Sequence, residues 1–221
     1  MTIHEVCSRL PGTLVAEQWQ ALLTLYDEID RYAASFQNRH RVACPPGCGT
    51  CCEHFTPDLT DEEASLMAAY LLFVKQDQGA IARLAQSGAD SQSCPLYDPE
   101  STFHCTVYPA RGMICRLFGA CPSEDKHHRP VFRKCKYNTL TDTPVKLEMS
   151  DFEGDESPVL TMNSFGMQLQ AISMHAQTMP LPEALTVAAM RLRFLFNNGG
   201  FNPNDNDSGP DVPNTPTPVA S

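Results

Sequence analysis

Basic residues are scarce in this chain: 16 lysines and arginines stand against 26 aspartates and glutamates, leaving a formal charge of -10. A phosphate backbone would be repelled rather than gathered by counterion release, so nucleic acid is set aside as a partner. Long apolar runs are missing too, and none approaches the roughly 20 residues of a membrane span. The opening stretch MTIHEVCSRLPGTLVAEQ places His4, Glu5 and Arg9 where a secretory signal needs an uninterrupted apolar run. The expectation is a cytoplasmic protein with no membrane partner. Also missing are a G-x-G-x-x-G turn, a glycine-rich phosphate loop, a serine or cysteine triad motif, a pair of catalytic carboxylates and any internal repeat.

Cysteine, by contrast, is abundant. Nine of the ten lie between Cys44 and Cys135, and residues 44–52 read CPPGCGTCC. In a reducing compartment such thiols stay free unless a metal takes them. Pro45, Pro46, Gly47 and Gly49 break any regular element, so the nonapeptide is expected to be a loop with little to bury. Metal–sulfur bonds would supply the ordering energy that apolar burial cannot.

The 221 residues are enough for one domain with a real core. Trp19, Leu22, Leu23, Tyr26, Ile29, Ala33 and Phe36 recur on one helical face, predicting a packing helix from Ala16 to Phe36. Thr60 followed by Glu63 reads as a capping box and opens a helix from Asp61 to about Lys75, with a shorter one over 78–86 that stops at Gly88. Residues 94–135 carry turn chemistry at Asp98-Pro99 and from Pro109 to Gly112, which predicts small strands or turns. The acidic stretch 150–158 reads as a solvated turn, and two further helices are expected near 164–177 and 182–197. Met162, Met167, Met174, Met179 and Met190 are expected to fill core gaps. The expected fold is mainly α with an irregular, metal-organised, cysteine-rich centre, a small α+β arrangement being the alternative. A single domain would run over 1–198, its motif region at 40–136, its helical shell at 14–37 and 160–198, and 199–221 would form a disordered tail.

Thiolates are soft ligands that suit Zn²⁺ or an iron–sulfur cluster. In Cys44-x3-Cys48-x2-Cys51, Gly47 and Gly49 let backbone N–H groups turn toward sulfur. Cys52 complicates a one-ion picture, because adjacent side chains point in different directions; it serves a second centre or lies just outside the first. Cys94, Cys105, Cys115, Cys121 and Cys135 supply further thiols. Arg111 and Arg116 are candidate cofactor-binding residues that would offset the charge of a thiolate centre, the alternative being that they bind carboxylates. Tyr108 leans toward packing. His54, His104, His127 and His128 are weaker candidates for a mixed site, and Cys7 and Cys121 read as buried, inert thiols.

The CPPGCGTCC loop, the capped helix, Cys94-Pro95-Leu96, and the run Cys105-x2-Tyr108-x2-Arg111-x3-Cys115-Arg116-Leu117-Phe118 together resemble the YkgJ-like cysteine-cluster family over roughly residues 40–136. The first gap is three residues where that family usually has two, and Gly112 stands where it usually shows proline. The resemblance implies chelation of zinc or iron by Cys44, Cys48, Cys51, Cys52, Cys94, Cys105 and Cys115, with Cys135 as an eighth ligand. An iron–sulfur cluster of the four-iron type, with a redox role and a redox partner protein, is the leading expectation. A structural or chelating zinc site is the second. A third is an S-adenosylmethionine-dependent protein-modifying enzyme similar to the flagellin lysine methyltransferase, although the strand–helix alternation of such enzymes is missing.

Overall fold

The structure, a computed structural model, describes residues 2–45, 47–86, 93–140, 142–153, 158–173 and 177–198. The expected tail at 199–221, the stop at Gly88, Pro46, Met174 and positions 154–157 of the acidic stretch lie outside the described residues.

A short helix α1 (Ile3–Ser8) leads into α2 (Leu14–His40), the longest helix of the described residues. Thr13 caps α2, its hydroxyl oxygen accepting the Ala16 amide, and the helix ends where Arg41 turns left-handed at φ 54°. Every residue of the predicted face is buried, joined by Leu25. Helix α3 (Thr50–His54) corrects the expectation that all of residues 44–52 form a loop. The breakers all precede Thr50, and nothing in Thr-Cys-Cys-Glu-His stops a helical turn.

Strand β1 (Asp58–Thr60) runs directly into α4 (Asp61–Ala69), whose start carries the predicted reciprocal box between Thr60 and Glu63. The chain continues to Lys75 as a wider turn over Tyr70–Val74, with the Lys75 amide donating to the Tyr70 carbonyl. Leu71, Leu72 and Phe73 are all buried there, more consecutive positions than one face of a surface helix can hide. Helix α5 (Gln78–Gln86) follows, then the cysteine-rich middle, whose described residues include the short α-helix α6 (Met113–Leu117). Strands β2 (Ser123–Glu124), β3 (Pro130–Arg133) and β4 (Lys146–Leu147) form one antiparallel sheet in the order β2-β3-β4. The chain closes with α7 (Met162–Ile172), β5 (Thr178–Pro180) and α8 (Leu181–Asn198), β5 pairing antiparallel with β1.

The main core lies where α8 packs on α4 and α5, and α2 packs on α4, α6 and α7. Trp19, Tyr26, Leu66, Met67, Phe165 and Leu185 sit at its centre, nearly without exposure. A smaller cluster of Phe36, Val42, Phe132, Leu147 and Phe152 packs the end of α2 on the β2-β3-β4 sheet. The methionine expectation needs correcting: Met162 and Met179 pack on the core, but Met167 and Met190 are exposed. Among the described residues the fold is mainly helical, with two small antiparallel sheets and an irregular cysteine-rich middle.

Candidate metal centre

The first cysteine block is held on both sides. Asn138 donates its side-chain amide to the Ala43 carbonyl at 2.6 Å, and the Thr143 hydroxyl both donates to that carbonyl at 3.0 Å and accepts the Ala43 amide at 3.1 Å. Asn138 in turn donates its backbone amide to Cys135 at 2.9 Å, so Cys44 and Cys135 are neighbours through a short chain of hydrogen bonds. The Cys48 amide donates to the Pro45 carbonyl, and the Cys52 amide to that of Gly49. Helix α3 then carries Cys51 and Cys52 side by side, their sulfurs 4.0 Å apart.

The second block docks on the first by backbone contact. Cys52 accepts the Cys94 amide at 2.7 Å, and Tyr97 pairs with Cys105 in an isolated antiparallel bridge. Gly119 turns left-handed at φ +73°, and a Cβ there would stand 3.3 Å from the Cys44 sulfur. Cys115 sits on α6, whose first amide, that of Met113, donates to Glu63 at 2.7 Å.

These restraints bring both blocks around one cavity of about 370 Å³. Its walls include all eight predicted ligand cysteines, Cys44, Cys48, Cys51, Cys52, Cys94, Cys105, Cys115 and Cys135. Cys7 and Cys121 lie elsewhere and are buried, as expected of inert thiols. None of the four candidate histidines belongs to the cavity wall. His54 stacks on Tyr137, and His104 keeps a buried Nδ1 without a hydrogen-bond partner among the described residues.

The thiols are electrostatically unequal. Burial pushes Cys94 up to about 11 and Cys115 up to about 12. In the vicinal pair, the hydrogen bond from Cys52 holds Cys51 down at about 6, while Cys52 is pushed up as the group that keeps the proton. A metal binding here would therefore displace protons from most of its ligands. Among the described residues, no three His, Cys, Asp or Glu side chains stand close enough together to hold one ion. The eight sulfurs line one cavity without three of them converging on one point.

Arg111 and Arg116 also line the cavity, and both turn to Asp30 of α2. Arg116 is almost fully buried; it meets Asp30 at 2.5 Å and donates to the carbonyls of Arg111 and Pro109 at 3.0 and 2.7 Å. Arg111 lies over the Tyr108 ring, and its charge favours the thiolate of Cys105 against the burial that disfavours it. Carboxylate binding, one of the two roles considered for these arginines, is thus present for both. Tyr108 stacks on Phe103, as a packing role requires.

The remaining wall carries no signal in the local sequence. Phe55 and Phe118 stack on each other and, with Phe103, stand partly exposed on the cavity wall. Asp30 and Glu63 carry no local motif that announces their reach to Arg116 and Met113; only the capping role of Glu63 is visible in the sequence.

No helix among the described residues is long and apolar enough to cross a membrane. No curated protein and no solved structure gives a significant match to the chain. Residues 43–138 match the CxxCxxCC family model, described as a "putative zinc- or iron-chelating domain", and this cysteine-rich segment belongs to that family.

Proposed function

We propose that the eight cysteines lining the cavity hold an iron–sulfur centre and that the protein uses it in a redox or electron-transfer role, residues 1–198 acting as one unit around it. The observation that carries this reading is that thiols from both cysteine blocks, more than ninety positions apart at their extremes, line one cavity. The soft donor set fits iron–sulfur or zinc chemistry and no hard cation. A bound iron–sulfur cluster would supply one-electron transfer.

The spread of the sulfurs supports a cluster over a single ion, because cluster ligands bind different iron atoms and need not close on one another. The chain's own residues serve such a centre in three ways. The turns at Gly47 and Gly49 hold the first block against the second without side-chain bulk. Arg111 places positive charge beside Cys105. Phe55, Phe103 and Phe118 provide apolar cover that limits water at the sulfurs and raises the cost of net charge there.

Zinc is the second reading, and one distance favours it. The 4.0 Å between the Cys51 and Cys52 sulfurs is close to the edge of a tetrahedron with zinc–sulfur bonds of about 2.3 Å, which is about 3.8 Å. The methyltransferase-like reading gains no support from two small antiparallel sheets, since neither a parallel barrel nor a dinucleotide fold can be built on them.

Anaerobic purification with iron, zinc and acid-labile sulfide analysis, and a visible spectrum before and after dithionite, tests the proposal. A broad absorption that bleaches on reduction, with iron and sulfide in comparable amounts, is the expected result. A colourless protein with stoichiometric zinc would replace it with the second reading.

A further inference from the structure

Three large apolar side chains on the wall of the cysteine cavity keep much of their surface open: Phe55 and Phe118 are each 41 % exposed, and Phe103 is 52 % exposed. Aromatic rings left open together on one concave wall mark a surface for an apolar ligand. Phe55 and Phe118 stack with their centroids 6.0 Å apart, and Phe103 stacks on Tyr108 at 4.2 Å, so the wall presents flat rings held in place by their neighbours. The cavity, about 370 Å³, lies within the roughly 300–1,000 Å³ of small-molecule sites, whose walls are likewise apolar with a few polar groups that fix orientation.

Apart from the cysteines, the charged side chains of this wall are Asp30, Arg111 and Arg116, one carboxylate beside two guanidiniums. Arg116 is fully engaged: its Nε donates to the Arg111 carbonyl, its Nη2 to the Pro109 carbonyl and its Nη1 to Asp30 Oδ2 at 2.5 Å. Arg111 is not. Its one hydrogen bond among the described residues runs from Nη1 to the Tyr108 carbonyl at 3.0 Å, and Asp30 Oδ1 stands 3.6 Å from its Nη2, too long for a second. The Arg111 side chain is only 16 % exposed, so a guanidinium with five N–H donors keeps several of them unused with little water to take them. Its carbon atom lies 3.8 Å from the Tyr108 centroid, and with Phe103 already stacked on that ring the two must take opposite faces, which fixes the guanidinium plane.

We propose that the cavity binds a small aromatic carboxylate, its ring against the exposed phenylalanines and its carboxylate on Arg111. A guanidinium donates two parallel N–H bonds to a carboxylate, a match that an alcohol of the same body cannot make, and an amine would meet like charge. The site goes beyond the chelation reading and does not rest on it, since neither the phenylalanines nor Arg111 is a metal ligand.

Isothermal titration of the purified full-length chain with 3-phenylpropionate and with 3-phenylpropan-1-ol tests this, with the metal content of the same preparation measured alongside. The acid should bind saturably and at least about tenfold more tightly than the alcohol. Arg111→Gln should abolish that preference while leaving alcohol binding in place, and Phe118→Ala should weaken both ligands. Absence of saturable binding, equal affinity for acid and alcohol, or a full preference for the acid in Arg111→Gln overturns the proposal, as does a Phe118→Ala chain with unaltered affinity for both. If Arg111→Gln does not fold, Arg111→Lys decides: it keeps the charge without the fork, so the preference should shrink, and an undiminished preference overturns the site. Metal retained without ligand binding overturns this inference and leaves chelation standing, whereas a metal-free chain that binds the acid with the expected preference supports it and counts against chelation.

Discussion

Gly49 lies so close to His104 that a Cβ on the glycine would stand 2.4 Å from the Cβ of the histidine. That contact, with Tyr97 2.9 Å from the same point, is where the first cysteine block seats on the second. The backbone of His104 is itself left-handed, at φ 51°, so the loop ahead of Cys105 has little freedom to retreat.

Gly49→Ala should therefore separate the blocks rather than merely strain them. The expected cost is about 2–3 kcal/mol of stability, in the range of overpacked sites, with metal content falling in the same preparation. Urea unfolding together with metal analysis measures both, and unchanged stability would show that the blocks do not meet in this way.

Arg116 presents a different kind of joint. Its buried guanidinium satisfies two carbonyls of its own loop and the Asp30 carboxylate of α2, and its carbon atom sits 4.1 Å from the centre of the Tyr26 ring. Lysine cannot reproduce that fork. Arg116→Lys should leave at least one of these carbonyls without its guanidinium donor and lower stability by about 1–3 kcal/mol, read as a lower urea midpoint at unchanged slope.

Much of the shell was legible because its signals are local. The α2 face repeats with helical period, and the Thr60–Glu63 box spans four residues, so both could be read without knowing what they pack against. The eight cavity cysteines were legible as residue types. What was not legible is long-range. Asp30 meets Arg116 across 86 positions and Glu63 meets Met113 across 50, and nothing in the local pattern selects those partners. Strands of two to four residues, such as β2, β3 and β4, are too short for their alternation to be distinguished from turns. The helical turn at Cys51 and Cys52 was hidden by the prolines and glycines just before it.

Cys121 provides a pH signature separate from the metal site. Burial pushes its thiol from the ordinary 9.0 up to about 12. The folded chain keeps this proton where the unfolded chain has released it, so its contribution to stability is intact below about pH 9 and is lost as pH rises from there toward about 12. At pH 10 the loss should be about 1.4 kcal/mol. Urea midpoints of the reduced protein between pH 7 and about pH 10 should fall, and Cys121→Ala should flatten that fall. Parallel slopes for the two proteins would refute the assignment to Cys121.

Glu63 joins the helical shell to the cavity through a single carboxylate. One oxygen accepts the Thr60 amide at 3.1 Å; the other accepts the Met113 amide at 2.7 Å and the Tyr26 hydroxyl at 3.2 Å. Gly112 allows this approach, since a Cβ there would lie 3.1 Å from the nearer oxygen. In Glu63→Gln the amide oxygen can still serve Met113 and Tyr26, but its NH₂ then faces the Thr60 amide, donor against donor. The expected loss is about 1–3 kcal/mol, and because Met113 begins the helix that carries Cys115, metal affinity should fall with it. Glu63→Ala leaves every donor unpaired and should lose more on both measures. A Gln variant with the stability and metal affinity of the unaltered chain would show that the position of Cys115 does not depend on this carboxylate.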